Sequence, residues 1–103
     1  MANPMKIRAA NKDGITELKV LVSHEMETGQ RKDAAGAIIP AWFITELSAK
    51  HNEKIVLTSE FGPSVSKNPY LAFKFKGGAK GDKIIISWKD NKGETRSDEA
   101  VIV

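Results

Sequence analysis

The chain has 103 residues, no cysteine and a formal net charge of +3. Such a length suits one domain, 1–103, with a radius of gyration of roughly 13 Å and a core that hides about two thirds of the unfolded surface. The composition excludes a disordered tail, and the missing thiols exclude a cysteine nucleophile, a disulfide, a thiolate metal ligand and any sulfur on which a substrate could ride. The excess positive charge reads as spread along the chain, fit for solubility and an acidic partner but too dilute for nucleic acid.

Period two dominates from the first residues onward. Met5, Ile7 and Ala9 alternate with Lys6 and Arg8, and Asn11-Lys12-Asp13-Gly14 supplies a turn. Thr16, Leu18, Val20 and Val22 then share one face of a long strand whose other face holds Glu17 and Lys19. After an irregular stretch from Ser23 to Pro40 comes Trp42 to His51. Pro40 near a first turn and Phe43 over Leu47 would suit a helix there. A strand is the better reading, because β-branched and aromatic residues crowd the segment and Asn52-Glu53 ends it like a hairpin. Ile55, Leu57, Ser59 and Phe61 alternate next, and Gly62-Pro63 and Asn68-Pro69 bracket the following connection. Leu71, Phe73 and Phe75 form a third alternating face, and Gly77 to Asp82 reads as a flexible hairpin loop. Ile84, Ile86 and Trp88 face away from Ser87 and Lys89, and Asp90-Asn91-Lys92-Gly93 turns the chain into Thr95 to Val103. About seven strands with a turn signal every ten or so residues predict an all-β antiparallel sandwich. Its expected core includes Leu18, Val20, Leu57, Leu71, Phe73, Ile84, Ile86 and Trp88.

Four constellations could carry chemistry, and each has a plainer reading. His24 and His51 with Glu25, Glu27 and Asp33 lack the close ligand spacing of a metal site, so no metal is expected. His24, Asp33 and a serine could be drawn as a triad, but no Gly-x-Ser-x-Gly elbow accompanies them, and no catalytic residue is assigned. Gly77-Gly78-Ala79-Lys80-Gly81-Asp82 lacks the Ser or Thr after its lysine and opens no helix, so it is no phosphate cradle. Phe73, Phe75 and Trp88 hold core-type positions and form no stacking platform for nucleic acid.

The stretch Ser23 to Pro40 is far longer than a tight hairpin needs, and such connections in compact domains usually have a use. Its plain reading is that Gly29 and Gly36 shape a turn while Arg31 and Asp33 pair locally. Its phrase His24-Glu25-Met26-Glu27-Thr28-Gly29-Gln30-Arg31-Lys32-Asp33, followed by Gly36 and Ile39-Pro40, resembles the signature loop of the Z subunit of the SoxYZ sulfur-carrier complex of bacterial thiosulfate oxidation. The similarity extends to Leu21-Val22-Ser23, to Asn68-Pro69-Tyr70-Leu71-Ala72-Phe73 and to Trp88-x-Asp90-x-x-Gly93, and so covers nearly the whole chain. Lys32 stands where many members have a second arginine.

The resemblance implies an immunoglobulin-like sandwich without catalytic activity or cofactor, one half of a heterodimer. The implied partner is a Y subunit whose mobile Gly-Gly-Cys-Gly-Gly arm holds the sulfur intermediate. The pair would meet transiently with a c-type cytochrome complex, a sulfate-releasing hydrolase and a sulfur dehydrogenase. By motif match, His24, Met26, Glu27, Arg31 and Asp33 are the expected functional surface. Arg31 is the natural ligand for a thiosulfonate or sulfate group, because its planar fork suits tetrahedral oxyanions. The N-terminal residues Met1 to Lys6 show no export signal, and no stretch reaches the roughly 20 apolar residues that cross a bilayer. Periplasmic location would then follow from export together with the signal-bearing partner. Without that partner the same surface would favour homodimers. The alternative is a stand-alone immunoglobulin-like binding or adhesion module, which would expose several aromatic residues for its ligand.

Overall fold

A computed structural model describes residues 4–62 and 65–103 and arranges seven antiparallel strands in two sheets. Strands β1 (Lys6–Lys12), β2 (Ile15–Leu21) and β5 (Tyr70–Lys76) form one sheet in the order β1-β2-β5. Strands β3 (Ile44–His51), β4 (Lys54–Glu60), β6 (Lys83–Asp90) and β7 (Thr95–Val101) form the other in the order β4-β3-β6-β7. This is an immunoglobulin-like sandwich in which the fourth strand pairs with the third. The segment ending at His51 is extended, as its residue types predict. Pro63, of the predicted Gly62-Pro63 turn, lies outside the described residues, as do Met1, Ala2 and Asn3 of the N-terminal reading.

Local turn chemistry sets the hairpins. Lys12 faces Ile15 across Asp13 and Gly14, with φ of 54° and 77°. His51 likewise faces Lys54 across Asn52 and Glu53, with φ of 46° and 73°. Two central residues at positive φ define the primed turn whose twist matches that of the strands. At the β6–β7 turn the Gly93 amide donates to the Asp90 carbonyl, and Gly93 takes a φ of 83° that glycine alone adopts freely.

The segment Gly77 to Asp82 corrects a sequence expectation. It is no hairpin loop, because β5 and β6 belong to different sheets. Nor are its peptide groups loose. The Gly77 amide donates to the Gly14 carbonyl, and the Gly81 amide to that of Ile102. The Thr16 hydroxyl donates to the Gly77 carbonyl at 2.8 Å, and the Asn11 side-chain amide reaches the Gly78 carbonyl at 3.1 Å. Gly78 sits so close to Thr16 that a Cβ there would collide with its hydroxyl oxygen.

Inward residues of both sheets make the core. Leu18, Val20, Val22, Ile44, Leu47, Ala49, Ile84 and Ile86 are all completely buried, with Trp88 and Ile102 beside them. Leu57, Leu71 and Phe73, expected inside, are only half-buried at the margin of that core. For Leu71 and Phe73 the reason is that β5 is an edge strand with a single neighbour. Along β4 the alternation itself breaks. Ala49 pairs with Leu57 but Lys50 with Ile55, so Val56 is the extra residue of a bulge. A bulge reverses which face each later or earlier residue takes. Val56 therefore packs against the core, and Ile55 is 56% exposed.

The C-terminus closes one flank. Val103 accepts from the Asn11 amide and donates to the Ala9 carbonyl, and the Met5 amide donates to Asp98 at 3.0 Å. The radius of gyration is 15.5 Å, above the compact expectation, with extents of 54 × 20 × 20 Å. Strands of this length span roughly 25 Å, so the connections supply the rest of the long axis. The longest of them is 22–43.

Candidate functional site

The 22–43 connection carries the signature phrase, and two clips hold its start. The Val22 amide donates to the Pro69 carbonyl. His24 then exchanges bonds with Asn68: its amide donates to the Asn68 side-chain oxygen at 3.0 Å, and the Asn68 amide returns to the His24 carbonyl. Asn68 holds a φ of 52°, a left-handed conformation that asparagine tolerates better than most residues. This explains why Asn68-Pro69 belongs with the loop although forty-odd residues separate them.

Beneath the loop lies a polar knot. Asp90 is 2% exposed, and four donors converge on its carboxylate. Oδ2 meets the Trp42 indole N–H at 2.7 Å and His24 Nε2 at 3.2 Å. Oδ1 accepts the Lys92 and Glu94 amides at 3.0 and 2.9 Å. His24 Nδ1 accepts the Met26 amide at 3.1 Å, which leaves the ring proton on Nε2, facing Asp90. Burial pulls the Asp90 carboxyl upward, but the hydrogen bonds from Trp42, His24, Glu94 and Lys92 outweigh it and hold it below the usual carboxylate range. The His24 ring packs between Trp42 and Trp88, at centroid distances of 4.9 and 5.2 Å, and the Lys92 ammonium sits 4.3 Å over the Trp42 ring.

Met26 is drawn in with this knot. It is buried, has a φ of 52°, and its sulfur accepts the Ile44 amide at 3.3 Å. Glu27 and Trp42 then form an isolated antiparallel bridge that ties the two ends of the loop together. Beyond it Gly29 turns at a φ of 85°, and a Cβ there would press on that of Ala41 at 3.1 Å.

Arg31 folds back on Glu27 through two hydrogen bonds, Nε to Oε2 at 3.1 Å and Nη2 to Oε1 at 2.5 Å. This paired geometry adds direction as well as charge. The hydrogen bond from Arg31 holds the Glu27 carboxyl below its ordinary range, and Glu27 in turn raises the Arg31 guanidinium. Asp33 caps the tip, its Oδ1 accepting the Ala35 and Ala37 amides at 2.9 and 3.0 Å. Lys32 bridges to Ile38, so the tip is a small hairpin of its own.

The five residues singled out from the sequence therefore separate into two groups. His24 and Met26 lie inside, where they hold the loop's shape. Glu27, Arg31 and Asp33 follow on the outer course, with Arg31 and Asp33 exposed and the Glu27 side chain 11% exposed. Arg31 and Asp33 do not pair with each other; each has the partners given above. Between the Glu27–Arg31 pair and a Glu25–Lys67 contact of 3.3 Å runs a groove of about 350 Å³ that also touches Met26 and Thr28. Both nitrogens of His24 are engaged and its side chain is 1% exposed, so it is not placed to take a proton from a solvent-borne group. His51 is elsewhere, 2.8 Å from Asp82. Among the described residues no three His, Cys, Asp or Glu side chains converge as metal ligands would.

Sequence reasoning missed Trp42, Asn68 and Asp90 as parts of the site. Asp90 carried a signal, since an Asx residue opening a turn explains one of its oxygens. The other oxygen answers to residues far away in sequence.

Fold and site together define a seven-stranded antiparallel sandwich whose 22–43 loop is locked onto buried His24 and Asp90 and half-buried Trp42. The family described as "Sulphur oxidation protein SoxZ" matches residues 5–101, and the chain belongs to that family. No curated protein matches it. Among solved structures it is similar to a hypothetical protein of Pyrococcus horikoshii OT3, at TM-score 0.68 and 18% identity, covering 99% of this chain and 89% of that one. It is similar to a superoxide reductase in the oxidized state, at TM-score 0.65 and 17% identity with coverage of 99% and 89%. The superoxide reductase (neelaredoxin) of Archaeoglobus fulgidus follows, at TM-score 0.61 and 18% identity with coverage of 97% and 89%. At those identities the likeness speaks for the fold alone.

Proposed function

We propose that this chain is the non-catalytic subunit of a two-chain sulfur carrier. Its partner is a Y-type subunit whose Gly-Gly-Cys-Gly-Gly arm bears the sulfur intermediate, and the pair works in the periplasm after export on the partner's signal. Membership of the SoxZ family carries this reading. The composition agrees with it, because a chain without cysteine has no thiol to hold the sulfur itself. The loop geometry supports a docking role: buried His24 and Met26 fix the backbone, and Glu27 fixes Arg31 at the rim of the groove. A thiosulfonate on a visiting arm would meet the side of the Arg31 fork turned away from Glu27, with Lys67 across the groove.

Co-expression with the cysteine-armed subunit tests the reading. The two should co-purify as a stable complex over an interface of roughly 2,000 Å² or more. After incubation with thiosulfate and the oxidising enzymes, the mass of the armed subunit should rise while that of this chain stays constant. An adduct on this chain, or no complex, defeats the proposal. Arg31→Ala should leave the complex intact and slow turnover of the assembled system; unchanged turnover would reduce the loop to scaffold.

A further inference from the structure

The excess positive charge is not spread over the molecule, as the sequence suggested. The registers of β1, β2 and β5 bring Lys6, Arg8, Lys12, Lys19, Lys74 and Lys76 to the outer face of the three-stranded sheet. Glu17 is the one acid on that face, and it lies between Lys19 and Lys74, at 3.6 and 3.7 Å. Six cations and one anion of the sixteen and thirteen in the chain leave ten against twelve elsewhere. The whole positive balance of the protein therefore sits on one sheet face. The opposite sheet's outer face is balanced, with Lys50, Lys83 and Lys89 against Glu46, Glu60 and Glu99.

Apolar groups interrupt the basic face at its ends. Tyr70 is 62% exposed, Ile15 43% and Leu21 39%. Lys6, Arg8, Lys19, Leu21 and Tyr70 line a groove of about 510 Å³ at one end. Among the described residues, Lys6, Arg8, Lys12 and Lys76 form no ion pair.

We propose that this face receives the acidic surface of a protein that binds transiently. Its size and composition decide between partner classes. Three strands of this length cover roughly 23 by 14 Å, which suits the small interfaces of short-lived encounters. Permanent interfaces are larger and more hydrophobic than this small charged face, so the stable subunit belongs on another surface. Arginine and tyrosine beside an apolar residue are the usual anchors of protein contacts, whereas single-stranded nucleic acid needs several stacked rings and this face has one. A concentrated field of one sign raises the rate of encounter and is weakened by salt.

Resting on the carrier reading, the natural visitors are the oxidising enzymes, and the test uses them. The complex with the cysteine-armed subunit is immobilised through that subunit. The purified c-type cytochrome complex, sulfate-releasing hydrolase and sulfur dehydrogenase are flowed over it at about 20 and about 200 mM salt. At least one should associate at a rate that falls about tenfold at the higher salt and about tenfold in Lys6→Glu/Arg8→Glu/Lys19→Glu. Lys50→Glu/Lys83→Glu/Lys89→Glu changes net charge equally on the other sheet and should leave the rate unchanged. If the first triple variant misfolds by circular dichroism, Lys6→Ala/Arg8→Ala replaces it. Equal effects of the two triple variants, or none, overturn the proposal. So does binding of phosphatidylglycerol vesicles or a DNA oligonucleotide that only the first variant loses. Failure to join the armed subunit counts against the carrier reading alone; the rates are then read on the isolated chain, and the same outcomes decide.

Discussion

Replacing Asp90 with alanine removes the one group on which His24, Trp42 and two turn amides depend. The carboxylate is 2% exposed, and its four donors lie between 2.7 and 3.2 Å away. Hydrogen bonds to a charged group contribute about 1.5–3 kcal/mol each, but the values overlap when they share one acceptor. The Lys92 and Glu94 amides lie at the edge of the turn and regain water. The His24 donor is enclosed and does not, and the half-buried Trp42 indole regains water only in part. Deleting one partner from such a buried charged cluster costs about 3–5 kcal/mol, and we expect about 4 kcal/mol for Asp90→Ala. For a domain of this size that lowers Tm by about 15–30 °C. Asp90→Asn keeps the shape but turns either an amide N–H toward the two side-chain donors or toward the two turn amides, and should cost about 2–3 kcal/mol. Urea unfolding followed by the fluorescence of Trp42 and Trp88, both in ring contact with His24, measures these values. A double cycle of Asp90→Ala with Trp42→Phe should show a coupling of about 1 kcal/mol or more. A loss below about 1 kcal/mol for Asp90→Ala would refute the view that this cluster locks the loop.

Acid should act through the same carboxylate. The folded-state pKa of Asp90 is depressed, as are those of Asp82, chiefly by its bond to His51, and of Asp98, chiefly by Arg96. Their stabilisation is full above the unfolded aspartate pKa of about 3.9 and is lost as pH falls through the lower folded values. Unfolding free energy measured between about pH 6 and pH 2 should therefore fall steeply at the acid end, and less steeply in Asp90→Asn. Gly78→Ala, at a φ of 83° and facing the Thr16 hydroxyl, should destabilise by about 2–3 kcal/mol in urea melts. Gly36→Ala, also at positive φ but in open space, should cost only about 1 kcal/mol. Phe73→Ala, half-buried on an edge strand, should fall below the 3–5 kcal/mol typical of a full burial, at about 2 kcal/mol.

Period-two alternation and turn chemistry were enough to read the strands and three of the connections from the residues alone. Both are local: neighbouring side chains point to opposite faces, and Asp13-Gly14, Asn52 and Gly93 suit backbones at positive φ. The signature phrase from His24 to Asp33 was legible for the same reason, as a contiguous run. What the tertiary structure decided is everything that depends on which strand lies beside which. Asp90 became the anchor of the loop only because the β6–β7 turn comes to rest under His24 and Trp42. Ile55 turned outward because β3 offers β4 one residue fewer across the bulge. Cations that look dispersed along the chain became one charged face because β1, β2 and β5 bring them side by side. Coulomb energies and burial depend on distance in space, and cross-strand register is the step that turns separation in sequence into proximity.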